Sequence, residues 1–430
     1  MTYQYYMQKS SKGFTQPAVF NLLLVLVLLA PWGLAGCDQS LLPTVLSTNI
    51  GGDKSWESFQ TEIDQAKDGD TIDLSSYVCP IPEGKLYTIT VPEGLSIRLL
   101  GNPELDFRGV CFAFEGDNTV IIENLVLTLW LDEVRPHKPP PSVLHFQSGT
   151  NHLQLVGSND VTLISRDDIP GYGAVIGVPV GSSLTIDGDG SLDAYNGCSG
   201  AGIGGGYQAA SGSITIAGGS ITAFRGESGH WPEMPLEGAA AIGGGSGADG
   251  GTTTITGGKV TARGMCGGAG IGGGYGGSGG SITISGGFVE SYAHTEWSET
   301  GWLGGAASIG GGYGGQGGTI RIEGGEIEAY STVGLYRSIT SSEFNSIYGP
   351  AVGSGHGGRG GTLAISGGKL SALNNGQPGH AAIGCTIMSL PEGYSWRAGA
   401  LESLSGDEGV FPDEVFINSE TYSYVIIEAE

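Results

Sequence analysis

The stretch Gly270-Ile271-Gly272-Gly273-Gly274, followed by Gly279-Gly280-Ser281-Ile282-Thr283-Ile284-Ser285-Gly286-Gly287-Phe288-Val289, decides the fold of this chain. Clear or looser copies of the same pattern begin at other apolar residues, namely Ile176, Ile203, Ile242, Ile309, Val352 and Ile383. A pattern that recurs every few tens of residues is typical of a solenoid, in which each copy forms one coil.

Each copy predicts three short strands separated by turns. Apolar residues alternate in Ile282-Thr283-Ile284, which is typical of a strand with one buried face, and glycine pairs mark turns. Three strands per coil, stacked in parallel, predict an all-β, right-handed parallel β-helix, because parallel crossovers are right-handed. The stacking predicts three buried rows: Ile203, Ile242, Ile271, Ile309, Val352 and Ile383; Ile216, Ile255, Ile284, Ile322 and Ile365; and Ile221, Val260, Val289, Ile327 and Leu370.

Other readings of a glycine-rich chain fit less well. Helical repeats would be destabilised by 81 glycines in 430 residues. Collagen needs glycine at every third position, and a disordered chain would lack the recurring isoleucine positions.

The copies differ in length, and the extra residues follow the third strand. Ile242 and Ile271 are 29 residues apart, whereas Ile309 and Val352 are 43 apart. Insertions at one repeat position emerge along one edge of a solenoid and often form its binding face. Aromatic and acidic residues of these loops predict a polysaccharide-binding edge: His230, Trp231, Glu233, His294, Glu296, Trp297, Trp302, Tyr336 and Tyr348. The alternative is that these aromatic rings fold inward and cover the edge of the solenoid.

A second set of aromatic residues recurs in the turn after the first strand. Tyr207, Tyr275, Tyr313 and His356 hold one repeat position and predict a stacked, structural row. Because His356 holds the same repeat position as these tyrosines, variation between repeats explains the stretch Gly355-His356-Gly357 without a catalytic role.

The first residues predict an exported protein. The apolar stretch of residues 22–30 follows Lys9 and Lys12 and is too short to span a bilayer. It leads into Leu34-Ala35-Gly36-Cys37, which resembles the lipobox of bacterial lipoproteins. That resemblance implies removal of residues 1–36 as a signal peptide and acylation of Cys37, for example with palmitate. The protein would then be anchored by lipid at the periplasmic face or the cell surface.

The charge of the chain excludes one class of partner. The sequence has 18 basic and 43 acidic residues, for a net charge of −25, which repels the phosphates of nucleic acids. The excess of acidic residues either keeps a glycine-rich solenoid soluble or serves to bind divalent cations. Asp187, Asp189 and Asp193 could bind Ca²⁺, although a solvated turn also explains them. No other cofactor is predicted.

Two cysteines of the less regular first part, Cys79 and Cys111, could form a disulfide in an oxidising compartment. The sequence has no Cys-x-x-Cys pair or cysteine–histidine cluster typical of structural zinc.

The residues before the first coils resemble a known superfamily. Phe59, Ile63 and Ala66 share one helical face and predict a helix that caps the open end of the solenoid. This helix, followed by Gly69-Asp70-Thr71-Ile72, resembles the entry to the pectate-lyase-like right-handed β-helices. The glycine-rich units resemble repeats of bacterial surface proteins described as carbohydrate-binding. The resemblance implies the fold, but its members include lyases, hydrolases, adhesins and inert scaffolds.

Taken together, these features predict five segments. They are a signal peptide (1–36), a linker after the lipidated cysteine (37–55), irregular coils with the cap helix (56–199), glycine-rich coils (200–385) and a C-terminal cap (386–430).

Catalysis is not indicated by the motifs that resemble those of polygalacturonases. Asp167-Asp168 and His356 would lie about five coils, or roughly 24 Å, apart at the spacing of neighbouring strands. A glycosidase needs its carboxylates within about 10 Å. The function predicted from sequence is therefore non-catalytic polysaccharide binding. The alternatives are a structural or adhesive spacer that binds a protein partner, and a calcium-dependent polysaccharide lyase.

Overall fold

Successive coils of the chain pair strand on strand in register. The computed structural model describes residues 52–77, 86–130, 142–164, 173–197, 199–225, 238–294, 304–332, 334–337, 344–347, 349–375, 381–388, 390–400, 406–411 and 422–429. One α-helix, α1 (Phe59–Gln65), and two short 3₁₀ turns, Trp56–Ser58 and Leu74–Ser76, precede most of the strands.

In chain order the strands are β1 (Asp70–Asp73), β2 (Tyr87–Val91), β3 (Ser96–Leu100), β4 (Phe107–Arg108), β5 (Val110–Phe114), β6 (Thr119–Glu123), β7 (Val126–Trp130), β8 (Leu144–Phe146), β9 (Gly149–Val156), β10 (Ser158–Ile164), β11 (Ile176–Gly177), β12 (Ser182–Gly188), β13 (Ser191–Asn196), β14 (Ile203–Gly204), β15 (Ser213–Ile216), β16 (Ser220–Arg225), β17 (Ile242–Gly243), β18 (Thr252–Ile255), β19 (Lys259–Met265), β20 (Ile271–Gly272), β21 (Ser281–His294), β22 (Ile309–Gly310), β23 (Thr319–Thr332), β24 (Gly334–Arg337), β25 (Phe344–Ile347), β26 (Val352–Gly353), β27 (Thr362–Asn375), β28 (Ile383–Gly384), β29 (Thr386–Ile387), β30 (Tyr394–Gly399), β31 (Gly406–Phe411) and β32 (Tyr424–Ala429).

All of these strands except β24, β25 and β30–β32 form three parallel ladders, and the chain is a right-handed parallel β-helix, as predicted. The first ladder contains β2, β5, β8, β11, β14, β17, β20, β22, β26 and β28. The second contains β1, β3, β6, β9, β12, β15, β18, the first halves of β21, β23 and β27, and β29. The third contains β4, β7, β10, β13, β16, β19 and the second halves of β21, β23 and β27.

The three predicted rows of buried aliphatic residues are confirmed. Ile271 pairs with Ile242 and Ile309 in the first ladder, Ile284 pairs with Ile255 in the second, and Val289 pairs with Val260 in the third. All the residues of the three rows are at most 4 % exposed. Each such side chain contributes about 1.5–3 kcal/mol through burial, so the stacked rows are the main source of stability.

In three coils the second and third strands are one continuous strand. β21, β23 and β27 are each 14 residues long and bend at a glycine pair such as Gly286-Gly287, where Gly287 has a φ of +81°. The sequence predicts separate strands at this point. The glycine pair instead bends the strand and shifts its pairing register without ending it.

Glycine follows the first-ladder apolar residue because no side chain fits there. Gly272 has a φ of +136°, and a Cβ atom on it would lie 2.0 Å from the carbonyl oxygen of Gly310 in the next coil. That oxygen accepts a hydrogen bond from the Gly273 amide at 2.9 Å. Gly204, Gly243 and Gly310 repeat the same close approach.

Both ends of the described solenoid are covered. At the first end, Phe59 and Ile63 of α1 are fully buried, and Phe59 packs against Tyr77 and Phe112. At the other end, β32 pairs antiparallel with the third-ladder part of β27, and β30 and β31 continue this antiparallel sheet.

No helix in the described ranges is both long and apolar enough to cross a membrane.

Candidate functional site

The outward face of the third ladder carries a row of large side chains, called here the aromatic row. It consists of Tyr195, Phe224, Arg263, Tyr292 and Tyr330, which pair in register through five consecutive coils. The residues just before them in sequence are buried, so alternation along each strand turns the row outward. Tyr195 stacks on Phe224 at 5.2 Å between ring centroids, and Tyr292 stacks on Tyr330 at 5.0 Å.

A second outward row, called here the acidic row, lies two residues earlier on the same strands. It consists of Asp160, Asp193, Thr222, Thr261, Glu290 and Glu328.

Hydrogen bonds join the two rows. The hydroxyl of Tyr330 donates to Glu328 Oε2 at 2.7 Å, and that of Tyr292 lies 3.4 Å from Glu290 Oε1. Burial, followed by the hydrogen bond to Glu328, raises the pKa of Tyr330 well above its ordinary value. Burial and the charge of Glu290 likewise raise the pKa of Tyr292. Both phenols therefore stay protonated at neutral pH and act as hydrogen-bond donors to the carboxylates.

Arg263 is the cation of the aromatic row. Its guanidinium lies 5.2 Å from the centre of the Tyr292 ring, which places a cation over an aromatic face. Its Nε atom is enclosed and has no hydrogen-bond partner. The neighbouring carboxylate of Glu290 instead lies near Lys259, at 3.9 Å, and accepts a hydrogen bond from Thr261 at 3.2 Å.

His294, one of the residues predicted from sequence, lies at the end of the same strand. Its ring stacks on Tyr292, with centroids 5.5 Å apart and planes within 7°. Burial, and then the positive charge of Arg263, lower the pKa of His294. The imidazole is therefore neutral at physiological pH and can donate or accept a hydrogen bond.

The geometry of the row determines what it can offer a ligand. Rings that stack along the solenoid axis cover one another's faces, so they leave their edges and polar atoms outward. Tyrosine hydroxyls, carboxylates, a neutral imidazole and a guanidinium are groups that bind sugar hydroxyls and their substituents through hydrogen bonds. The face is thus suited to a polar ligand that extends over several coils.

Sequence reasoning missed the aromatic row, apart from His294 beside it. The signal was present at a constant offset: each member follows a buried third-ladder residue by three positions, as in Ile221 to Phe224 and Val289 to Tyr292. One coil places arginine there, which hides the recurrence from a search for aromatic residues alone.

Most of the predicted loop residues lie outside the described residues: His230, Trp231, Glu233, Glu296, Trp297, Trp302 and Tyr348. Tyr336 belongs to β24, which pairs antiparallel with β25. In sequence, residues 226–237 and 295–303 directly follow the strands that hold Phe224 and His294. The loop binding edge stays a prediction.

The predicted calcium ligands do not converge. Asp187 lies at the end of a second-ladder strand, where its Oδ1 is 2.9 Å from His152 Nε2. These two enclosed atoms are close enough for an ion pair but do not align as a hydrogen bond. Asp193 lies on a third-ladder strand, in the acidic row. In the described part of the chain, no three His, Cys, Asp or Glu side chains form a metal site. Asp187 and Asp193 stand on different ladders, so the structure lends no support to a calcium site from Asp187, Asp189 and Asp193, which stays a prediction.

The predicted disulfide is untested, since Cys79 lies outside the described residues. Cys111 is buried in β5, with its sulfur 3.3 Å from Thr88 Oγ1. Burial raises the pKa of the Cys111 thiol to about 11, so the thiol is protonated at neutral pH.

The predicted structural row in the first turn forms in part. Tyr275 stacks on Tyr313 at 5.3 Å, and Tyr313 stacks on His356 at 5.8 Å. Tyr207 does not continue this stack, because the intervening coil carries Ser246 at this position and so separates Tyr207 from Tyr275 by two coils. His356 is accordingly a member of the row.

A separate cleft of about 200 Å³ lies where the glycine-rich coils begin. Ser142, His145, Pro179 and Tyr207 are among its lining residues. Burial lowers the pKa of His145, and its enclosed Nδ1 atom has no hydrogen-bond partner. The cleft is therefore a small, mainly apolar cavity with a neutral imidazole in its wall.

Comparison with known proteins bears on the fold. A family model described as Beta helix repeat matches residues 184–207, 214–246 and 254–275, which lie within coils of the three ladders. Searches of curated proteins and of solved structures gave no match. Over these coils the chain is similar to the Beta helix repeat family, which agrees with the parallel ladders of the structure.

Proposed function

We propose that the protein is a membrane-anchored extracytoplasmic lipoprotein that binds polysaccharide without cleaving it. A β-helix repeat fits a surface or polysaccharide-related protein. The lipobox-like Leu34-Ala35-Gly36-Cys37 supports the anchor, and the outward face of the third ladder supports the binding.

One observation carries the binding proposal: tyrosine–carboxylate pairs recur on consecutive coils of one outward face. Tyr292 with Glu290 and Tyr330 with Glu328 are related by one coil, or about 4.8 Å along the axis. A polysaccharide chain lying along the solenoid would meet equivalent groups at each step. Several weak contacts of this kind add up to useful affinity through multivalency.

The binding proposal is tested by affinity electrophoresis of the purified full chain through gels that contain plant, algal or bacterial polysaccharides, with and without calcium. We expect retardation by at least one glycan class. The double substitution Glu290→Gln and Glu328→Gln should weaken that retardation. A control, Glu104→Gln with Glu392→Gln, removes the same charge at exposed positions away from the row and should leave it unchanged.

A triple alanine variant of Trp231, Trp297 and Trp302 tests the loop edge in the same gels. If retardation is lost in this triple variant but kept in the double variant Glu290→Gln and Glu328→Gln, the binding edge lies on the loops. Unchanged migration of the wild type in every gel would contradict glycan binding and favour a spacer that binds a protein. Release of unsaturated sugars in the presence of calcium would instead identify a lyase.

Anchoring is tested separately by cell fractionation. The wild type should partition with membranes and incorporate labelled palmitate, and Cys37→Ser should abolish the labelling. Palmitate labelling that persists in Cys37→Ser would contradict acylation at Cys37.

A further inference from the structure

Arg263 is a charged group without an acidic partner in a strongly acidic protein. Among the described residues no carboxylate lies within 4.0 Å of its guanidinium, although Glu290 follows on the next coil. The Tyr292 ring lies 5.2 Å from the guanidinium. Arg263 is partly exposed on the outward face.

Arg225, on the preceding coil, is a second guanidinium without a partner. Phe224 pairs with Arg263, so Arg225 is one residue further along the neighbouring strand, on the inward side. Its side chain is 0 % exposed, and none of its three nitrogen atoms has a hydrogen-bond partner in the structure.

Other coils carry a neutral side chain at the buried position that Arg225 holds at the end of its third-ladder strand. Asn196 donates to the carbonyl oxygen of Ala201 at 2.9 Å, and Ser331 donates to that of Gly349 at 2.8 Å. A buried cation in this place is costly unless an anion lies near it. Two unpaired guanidiniums on adjacent coils therefore create a local positive potential on a molecule of net charge −25.

We propose that Arg263 recognises an anionic substituent of the polysaccharide, a carboxylate or a sulfate group, at a site whose positive potential is reinforced by Arg225. The planar fork of a guanidinium matches both groups through paired hydrogen bonds. This inference rests on the proposed function, because it names the class of glycan that the third-ladder face would bind.

The surrounding carboxylates restrict that class further. Glu290 and Glu328 lie on the same face and repel a glycan that carries a charge on every sugar. The face therefore favours a polysaccharide in which isolated anionic groups alternate with neutral sugars. In such a chain, hydroxyls meet the tyrosine–carboxylate pairs while the anionic group meets Arg263.

The test uses the purified full chain and affinity electrophoresis with paired probes. Hyaluronan, in which alternate sugars carry a carboxylate, is compared with its carboxyl-reduced form. Kappa-carrageenan, in which alternate sugars carry a sulfate, is compared with its desulfated form. We expect one anionic probe to bind at least about tenfold more tightly than its neutral form, as charge-assisted hydrogen bonds allow. A polyuronate charged on every sugar should bind more weakly than that probe.

Variants locate the effect. Arg263→Ala should reduce binding of the anionic probe about tenfold and leave the neutral form unaffected, and Arg263→Lys should retain part of the affinity. Arg359→Ala removes an exposed arginine from the turn between β26 and β27, away from the third-ladder face, and should change binding little. Urea unfolding of each variant separates loss of binding from loss of fold.

The outcomes distinguish this inference from the proposed function. Binding of neutral and anionic probes that is equal and insensitive to Arg263→Ala would overturn the anion site and leave glycan binding standing. Absence of binding to these probes and to the wider polysaccharide panel would overturn both.

Discussion

Glycine in the first ladder is required by backbone angle and by space together. Gly272 lies at a φ of +136°, a region that L-residues rarely adopt, and it contacts the next coil through its backbone. Gly276, four residues later, has a φ of +73° with nothing within 4 Å of its Cβ position. Substituting alanine at both positions therefore separates the free-energy cost of a positive φ, present at both, from the cost of a steric clash, present only at Gly272.

We expect Gly272→Ala to destabilise the protein by about 3 kcal/mol or more, because strain and a clash with the Gly310 carbonyl act together. Gly276→Ala is the matched control and should cost only about 1–2 kcal/mol, since the left-handed angle is its one penalty. Urea denaturation of the two variants measures the difference. Equal losses would show that the coils can separate locally to admit a methyl group.

Residue-level features were predictable where every copy uses one residue type. Ile271 and its equivalents stood out because isoleucine or valine recurs at that position in each coil from Ile176 to Ile383, whereas Leu144 and Phe112 hold it in the less regular coils before them. The burial of Arg225 could not be predicted, because Arg225 is the last residue of its strand and the alternation within that strand does not show which residues pack over the strand's end. The acids at 187, 189 and 193 are close in sequence, but Asp187 and Asp193 belong to different ladders because a turn separates their strands.

At the scale of single elements, the cap helix is the feature with the sharpest consequence. Phe59 is fully buried against Trp56, Tyr77 and Phe112, whereas Thr61, two residues later, is exposed. The helix thus covers the first coil through a few large side chains.

Phe59→Ala should destabilise the protein by about 3–5 kcal/mol, because it leaves a cavity in this aromatic cluster. It should also promote association, since a loosened cap exposes strand edges. Thr61→Ala should change the free energy of unfolding by no more than about 0.5 kcal/mol. Urea denaturation and sedimentation velocity check the two effects. A Phe59→Ala variant as stable as Thr61→Ala would mean that the first coil does not depend on the helix.

The number of strands per coil was predicted more accurately than their ends. Glycine pairs mark a change of direction, but a pair such as Gly286-Gly287 can bend a strand without ending it. The antiparallel pairing of β32 with β27 was not predicted either, because a single apolar strand carries no information about its partner's direction. The aromatic row required the ladders to be stacked before its members could be seen as neighbours.

At the scale of the whole molecule, the excess of negative charge opposes the compact state. The net charge of −25 is spread over a solenoid whose coils hold like charges close together, as in Glu290 and Glu328. Salt screens such repulsion, with a Debye length near 10 Å at about 0.1 M.

Raising sodium chloride from about 0.01 to about 0.3 M should therefore increase the free energy of unfolding by about 1 kcal/mol at neutral pH, the order of several surface charge pairs. Near pH 4.5, the isoelectric point, the same change should have little effect. Urea titrations at both pH values provide the comparison. A salt response of equal size at the two pH values would contradict an origin in net charge.

The constant register of the ladders also makes the corner after the third strand a place where the chain can change length freely. Coils of 29 and 43 residues keep the same pairing before and after that corner. A change of length at this corner leaves the hydrogen-bonded pairing of the three ladders unchanged. The molecule can therefore acquire a new specificity by exchanging one insert, while its neighbours and its framework stay as they are.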